Sequence, residues 1–256
     1  MADIVVEEKG EVTWIRLNRP ERMNAYDSDM ALELIAAIKG ASSAGVIVIT
    51  GTDRAFCAGG FLANLQNPDP EELRSMFFGS LDVYETIRLS PRPVIAAVNG
   101  AAAGGGNELV VACDLAIAVE SATFGQTGVK IGSAPVLGGT NFLSMNIGEK
   151  KAKEVAFMCR RYKAEECKDL GWINEVVPDG QLEEEVTKWA DELLRMSPRY
   201  LEIAKLSSNV WWNQCRDSYI NGLGQLVQAI GSEDMVEGAS AFMEKRRPQF
   251  KGRAKK

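Results

Sequence analysis

The sequence predicts an α/β protein with a largely parallel sheet and a helical carboxyl-terminal region. Three short apolar runs, Val46–Thr50, Val94–Val98 and Leu115–Val119, have the near-continuous hydrophobicity of strands buried on both faces. Helical patterns separate them, so the connections are crossovers of one hand and the strands run parallel. After about residue 140 the pattern turns helical and stays so.

Residues 3–8 and 12–17 are β-rich, and Lys9-Gly10-Glu11 between them reads as a hairpin turn. A polar loop, Asn18 to Ala25, leads to Asp27 or Ser28, either of which can cap a helix running to about Ala41. Leu32, Leu34, Ile35 and Ile38 are the apolar residues of that helix. Gly51 ends the first buried strand, and Phe56-Cys57-Ala58-Gly59-Gly60 forms a loop of small residues. A helix over 71–89 precedes Pro91-Arg92-Pro93 and the second buried strand. Asn99-Gly100 opens an Ala/Gly loop, and a helix from near Gly105 to Cys113 follows. Later helices are expected over 148–159, 164–170, 181–196, 198–209, 215–230 and 233–245. There is no internal repeat.

Composition narrows the chemistry. With 256 residues, 46% hydrophobic and 25% charged, the chain can bury a large core. A net charge of -6 argues against nucleic-acid and anionic-membrane partners, although Lys245-Arg246-Arg247 onward is locally basic. Neither a secretory signal nor a membrane-length apolar run is present, which makes a cytoplasmic protein the expectation. The five cysteines form no C-x-x-C pair, so neither a metal site nor a disulfide framework is indicated. Histidine is absent, which removes every Ser-His or Cys-His nucleophile pair. Proton transfer must fall to carboxylates, Tyr, Lys, Cys or water.

The strongest local signal is Asn99 to Leu109, with Gly104-Gly105-Gly106 at a helix start and Glu108 three residues into the helix after Gly105. The first amides of a helix lack acceptors and lie at the positive end of its dipole, and glycine lets a ligand approach them. The loop suits an oxyanion, and equally a tight packing turn that needs glycine for steric reasons. A dinucleotide fingerprint fails at Leu109, and no P-loop is present. The Ala58-Gly59-Gly60 loop also follows a buried strand, so the two loops can each place one amide on a single carbonyl oxygen. Glu108 in an apolar pocket would have a raised pKa suited to proton transfer; alternatively it complements the helix dipole.

These motifs, with Cys113-Asp114, Phe124-Gly125-Gln126 and Gly138-Gly139-Thr140, resemble the crotonase (enoyl-CoA hydratase/isomerase) superfamily over essentially the whole chain. The resemblance implies a crotonase spiral of ββα units over 1–195 and a helical trimerisation region over 196–256, assembled as a homotrimer or homohexamer. It implies an acyl-CoA substrate, with coenzyme A as part of the substrate and no tightly bound cofactor. The amides of Gly60 and Gly105 would hold the thioester oxygen and Glu108 would be the catalytic carboxylate. Arg22 and Ala58 would lie along the coenzyme A arm, and Lys245 would approach its phosphates.

Two departures sharpen this expectation. Gly128 stands where the resembled hydratases carry a second glutamate, and Phe61 stands where many have Asp or Asn. The run Phe124 to Ser133, with Met158 to Tyr162, is more similar to the ring-opening hydrolases for oxo-cyclohexane and oxo-cyclohexene carboxyl-CoA and to dihydroxynaphthoyl-CoA synthase. Ser133-Ala134-Pro135 favours the hydrolases over the synthase. The expected activity is water addition to an unsaturated or alicyclic acyl-CoA. Isomerase or synthase chemistry is the enzymatic alternative, and an RNA-binding or scaffold member is the non-catalytic one. Gln126, Thr127, Ser133 and Asn107 are candidates for orienting water or substrate. Bicarbonate is the resemblance-based stand-in for the missing carboxylate.

Overall fold

A computed structural model describes residues 2–61 and 67–250. β1 (Ile4–Lys9) and β2 (Val12–Leu17) form the expected antiparallel hairpin, in register from Ile4 opposite Leu17 to Lys9 opposite Val12. The Asp27 carboxylate accepts the Met30 amide and caps α1 (Ser28–Gly40). That helix buries Met30, Ala31, Leu34 and Ile38, whereas Leu32 faces solvent.

Parallel pairing then joins β2 to β3 (Val46–Gly51), β3 to β5 (Val94–Val98), β5 to β7 (Leu115–Val119), and β7 to β10 (Glu175–Val177). A second sheet holds β4 (Ala55–Cys57), β6 (Ala101–Ala103), β8 (Thr123–Gly125) and β9 (Tyr162–Lys163). Each of β3, β5 and β7 is thus followed by a short strand in the other sheet. Helix α2 (Pro70–Leu89) completes the first such unit and α3 (Gly105–Ala112) the second. This stepwise repetition is the crotonase spiral, and it leaves no repeat in the sequence.

The short strands correct the sequence reading. β4 and β6 lie inside segments expected to be loops, and β9 and β10 interrupt a region expected to be purely helical. Two or three residues carry too little periodicity to register as a strand; their neighbours in the sheet, not their own pattern, hold them.

After α4 (Leu143–Ile147), α5 (Glu149–Met158), α6 (Ala164–Asp169) and α7 (Leu182–Leu194) come α8 (Pro198–Ser208), α9 (Val210–Gln228) and α10 (Glu233–Met243). α9 starts five residues before its expected position at 215, and it buries Trp212 and Leu226. The indole of Trp212 stacks on Phe142 at 4.1 Å, with Tyr219 at 5.5 Å from both rings. The side chain of Trp211 lies outside the described residues. Apolar residues of α9 are therefore spent on the chain's own core.

A polar knot holds α8 against that core. The Lys205 ammonium, with a side chain only 5% exposed, donates to the carbonyls of Ile87 and Arg92 at 2.8 Å each and pairs with Asp114 at 2.8 Å. Asp114 also accepts the Val94 amide, and the Asn209 amide group donates to the Arg88 carbonyl. Lys205→Met removes the cation that pairs with the Asp114 carboxylate and the donor to two carbonyls. It is expected to cost about 3 kcal/mol, measurable as a lower urea midpoint at unchanged slope.

Candidate active site

The two glycine loops, the start of α3 and the segment 126–137 converge on one cavity of about 90 Å³, several waters' worth of space. Ala58, Gly60, Phe61, Gly105, Glu108, Gln126, Thr127, Gly128 and Ser133 all border it. The remaining walls are Tyr26, Met76, Phe77, Ser80, Ile131, Leu137 and Leu226, with neighbouring backbone.

β-bridge geometry fixes the first loop. Tyr26 donates its amide to the Gly59 carbonyl at 2.9 Å and accepts the Phe61 amide at 3.0 Å, so Gly60 is held between two bonds that leave its own N–H unused. In the second loop Gly104 donates to the Gly125 carbonyl at 3.0 Å and Gly105 begins α3. Among the described residues neither the Gly60 nor the Gly105 amide donates a hydrogen bond. Both residues line the cavity.

The adjoining glycines also serve packing. A Cβ on Gly106 would lie 2.0 Å from the Cys57 carbonyl oxygen, and one on Gly105 would lie 2.5 Å from the Tyr26 hydroxyl. The steric reading of this turn is therefore correct for Gly106, and a side chain at 105 also meets the Tyr26 hydroxyl. Beneath the loop the Cys57 thiol donates to the Asn24 carbonyl at 3.1 Å.

Glu108 projects from the first turn of α3 into this enclosure and is 6% exposed. Its Oε1 accepts the amides of Leu137 and Gly139, both at 3.0 Å. Burial raises its pKa to about 7, against those two hydrogen bonds, which pull it down. Its Oε2 has no protein partner among the described residues. A carboxyl fixed by one oxygen, half ionised near neutrality and open at the other can take and return a proton.

Gln126 completes this part of the cavity. Its side chain is 1% exposed and neither amide atom has a partner, although buried polar groups are ordinarily paired. A Cβ on Gly139 would lie 2.4 Å from Gln126 Nε2, so this amide sits against the residue that holds Glu108.

Other expected residues are placed differently. Asn107 is buried with both amide atoms unpartnered but does not border the cavity. The Arg22 guanidinium lies over the Phe61 ring, 4.2 Å from its centroid, at an exposed position. Lys245 follows α10, is exposed, and lies apart from the cavity-lining residues. At Gly128 a Cβ would meet Ala134 and Pro135 at 3.1 Å, so the 134–135 turn crowds any side chain placed there.

Sequence reasoning did not single out Tyr26, Ser80 or Tyr84. A signal was present: Met76, Ser80 and Tyr84 recur every fourth residue on one face of α2, with two hydroxyls on an otherwise apolar stripe. Among the described residues no group of three or more His, Cys, Asp or Glu could hold a metal, and no helix is long and apolar enough to cross a membrane.

Stacked ββα units that bring two glycine loops and a buried carboxyl to one cavity define an enzyme of the crotonase type. The chain belongs to the enoyl-CoA hydratase/isomerase family, whose model matches residues 7–253. Among solved structures it is similar to an enoyl-CoA hydratase from Bacillus anthracis at 33% identity and TM-score 0.79, over 98% of this chain and 100% of that one. It is also similar to a carnitinyl-CoA hydratase from Mycobacterium avium at 32% identity and TM-score 0.85, over 98% and 99%. An enoyl-CoA hydratase from Mycobacterium avium subsp. paratuberculosis is similar at 26% identity and TM-score 0.87, over 94% and 99%.

Proposed function

We propose that this enzyme adds water to an unsaturated or alicyclic acyl-CoA, either across a C=C bond or in hydrolytic ring opening. The observation that carries the reading is the buried carboxyl of Glu108, poised near neutrality beside two unused glycine amides. Those amides receive the thioester oxygen and hold the negative charge that develops on it as an enolate forms. Glu108 Oε2 and the unpartnered Gln126 amide hold the water between them, and Glu108 moves its proton. Thr127 and Ser133 border the same space and orient the acyl group. The hydratases among the similar structures support the same class of substrate.

In this reading Phe61, gripped by Arg22, forms the apolar side of the entrance, and Ala58 and Arg22 flank the coenzyme A arm. Lys245 reaches the phosphates of a thioester held in a neighbouring copy. The assembly is a trimer or hexamer, supported by large apolar side chains that one copy leaves exposed, such as Phe157, Phe242 and Met243. Light scattering at micromolar concentration is expected to give one of those masses; a stable monomer overturns the assembly.

The activity is tested by incubating the enzyme with a panel of acyl-CoA thioesters and reading products by mass spectrometry. The expected result is the mass gain of one water on at least one unsaturated or cyclic thioester, lost in Glu108→Gln. Isomerised products of unchanged mass, with no hydrated species, would overturn it.

A further inference from the structure

Hydroxyl groups along the Gly105 wall form a directed chain. The Tyr84 hydroxyl donates to the Gly105 carbonyl at 2.8 Å, and the Tyr26 hydroxyl lies 2.8 Å from that of Tyr84. A carbonyl can only accept, so the one proton of Tyr84 is committed to Gly105. The proton in the contact between the two phenols must then come from Tyr26. Its donor is spent, and its oxygen retains acceptor capacity alone. The Ser80 hydroxyl, beside Tyr26, also bonds the Met76 carbonyl at 2.8 Å.

Tyr26 and Ser80 both border the cavity, at the wall where the Tyr26 hydroxyl rests against Gly105. Tyr84 is 1% exposed and does not border it, so it reaches the cavity through Tyr26 and through the Gly105 carbonyl. The backbone bonds of Tyr26 to Gly59 and Phe61 hold its main chain against the first glycine loop, so the phenol is part of a rigid wall. Burial raises the pKa of both phenols, and they keep their protons at any working pH. The direction of the chain is therefore fixed.

We propose that Tyr26 selects acyl groups bearing a hydroxyl or another hydrogen-bond donor, because it offers the bound acyl group an acceptor and no proton. This rests on the acyl-CoA reading above and narrows it. A ring ketone, which carries only an acceptor, meets an oxygen lone pair at this wall; a ring hydroxyl meets a partner. Tyr84 is the positioning residue that sets the polarity of Tyr26. Removing its hydroxyl returns the Tyr26 proton to the cavity and turns the acceptor into a donor.

Saturated thioesters that cannot be hydrated separate binding from turnover. Cyclohexane-carboxyl-CoA, its ring-hydroxyl analogue and its ring-ketone analogue are titrated calorimetrically into the wild-type protein, Tyr26→Phe and Tyr84→Phe. The wild type is expected to bind the hydroxyl form about tenfold more tightly than the unsubstituted or ketone form, the yield of one good neutral hydrogen bond. Tyr26→Phe is expected to collapse that ratio towards one. Tyr84→Phe is expected to shift the preference towards the ketone, an inversion that a loss of packing alone does not produce. If the three thioesters bind the wild type alike, or both variants keep the hydroxyl preference, the proposal is overturned while the acyl-CoA reading stands. If no thioester binds the wild type, the acyl-CoA reading itself falls.

Discussion

Glu108→Gln is expected to bind thioesters, to lose about 10²–10⁴-fold in turnover, and to be more heat-stable than the wild type above neutral pH. The amide keeps the shape of the carboxyl, and its carbonyl oxygen can still accept the Leu137 and Gly139 amides. It cannot carry a proton between substrate and water. The stability gain follows from burial. In the unfolded chain this carboxyl titrates near 4.5, and in the folded enzyme near 7. Below pH 4.5 both states are protonated and nothing is lost. Between 4.5 and 7 the unfolded chain releases its proton while the folded one retains it, so wild-type stability falls as pH rises through that window. Above 7 the full penalty of about 3 kcal/mol is in place, and the variant escapes it. Thermal melts should therefore coincide near pH 4.5 and separate by several degrees at pH 8. Wild-type kcat/KM should rise with pH through about 7 if Glu108 begins the cycle as a base. A variant with wild-type turnover would remove Glu108 from the mechanism.

A ring-bearing thioester is expected to exceed crotonyl-CoA by about 100-fold in kcat/KM, a difference of about 2.7 kcal/mol in transition-state binding. The cavity presents Phe61, Met76, Phe77, Ile131, Leu137 and Leu226, an apolar lining that a four-carbon chain covers poorly. At Gly128 the turn through Ala134 and Pro135 replaces what would be a charged wall with an uncharged one. The comparison uses crotonyl-CoA against oxo-cyclohexane- and oxo-cyclohexene-carboxyl-CoA, with and without bicarbonate. A rate that rises with bicarbonate shows an anion doing the work of the absent carboxylate. Fast turnover of crotonyl-CoA with inert ring substrates would mark a one-glutamate hydratase instead. Among ring substrates, a hydroxylated ring should then rank above a ketone.

The legible and illegible parts of this molecule divide by range. The buried strands, the hairpin and the Asp27 cap are local patterns, and each lies where periodicity and capping place it. Glu108 and its glycines were legible because a helix start imposes its chemistry on the residues nearest to it. The strands β4, β6 and β8 were not, since three residues become a strand only through the sheet they join. The surroundings of Gly128 were illegible for a related reason. A missing side chain in the sequence says nothing of the turn that closes over it, here residues 134–135 from the same loop. The direction of the Tyr26–Tyr84 chain depends on a carbonyl more than twenty residues further along and has no local signature.

The Lys205 knot has a consequence for how the molecule opens. Helix α9, next to α8, supplies Leu226 to the cavity, so the carboxyl-terminal helices roof the site as well as flank it. Lifting them would strip a buried ammonium and a carboxylate of each other, together with two carbonyls, in one step. Such a latch makes gradual fraying costly and joins the roof to the sheet as a single foldon. Amides of α8 should therefore exchange with solvent only as slowly as those of β5, the strand whose first amide shares Asp114 with Lys205.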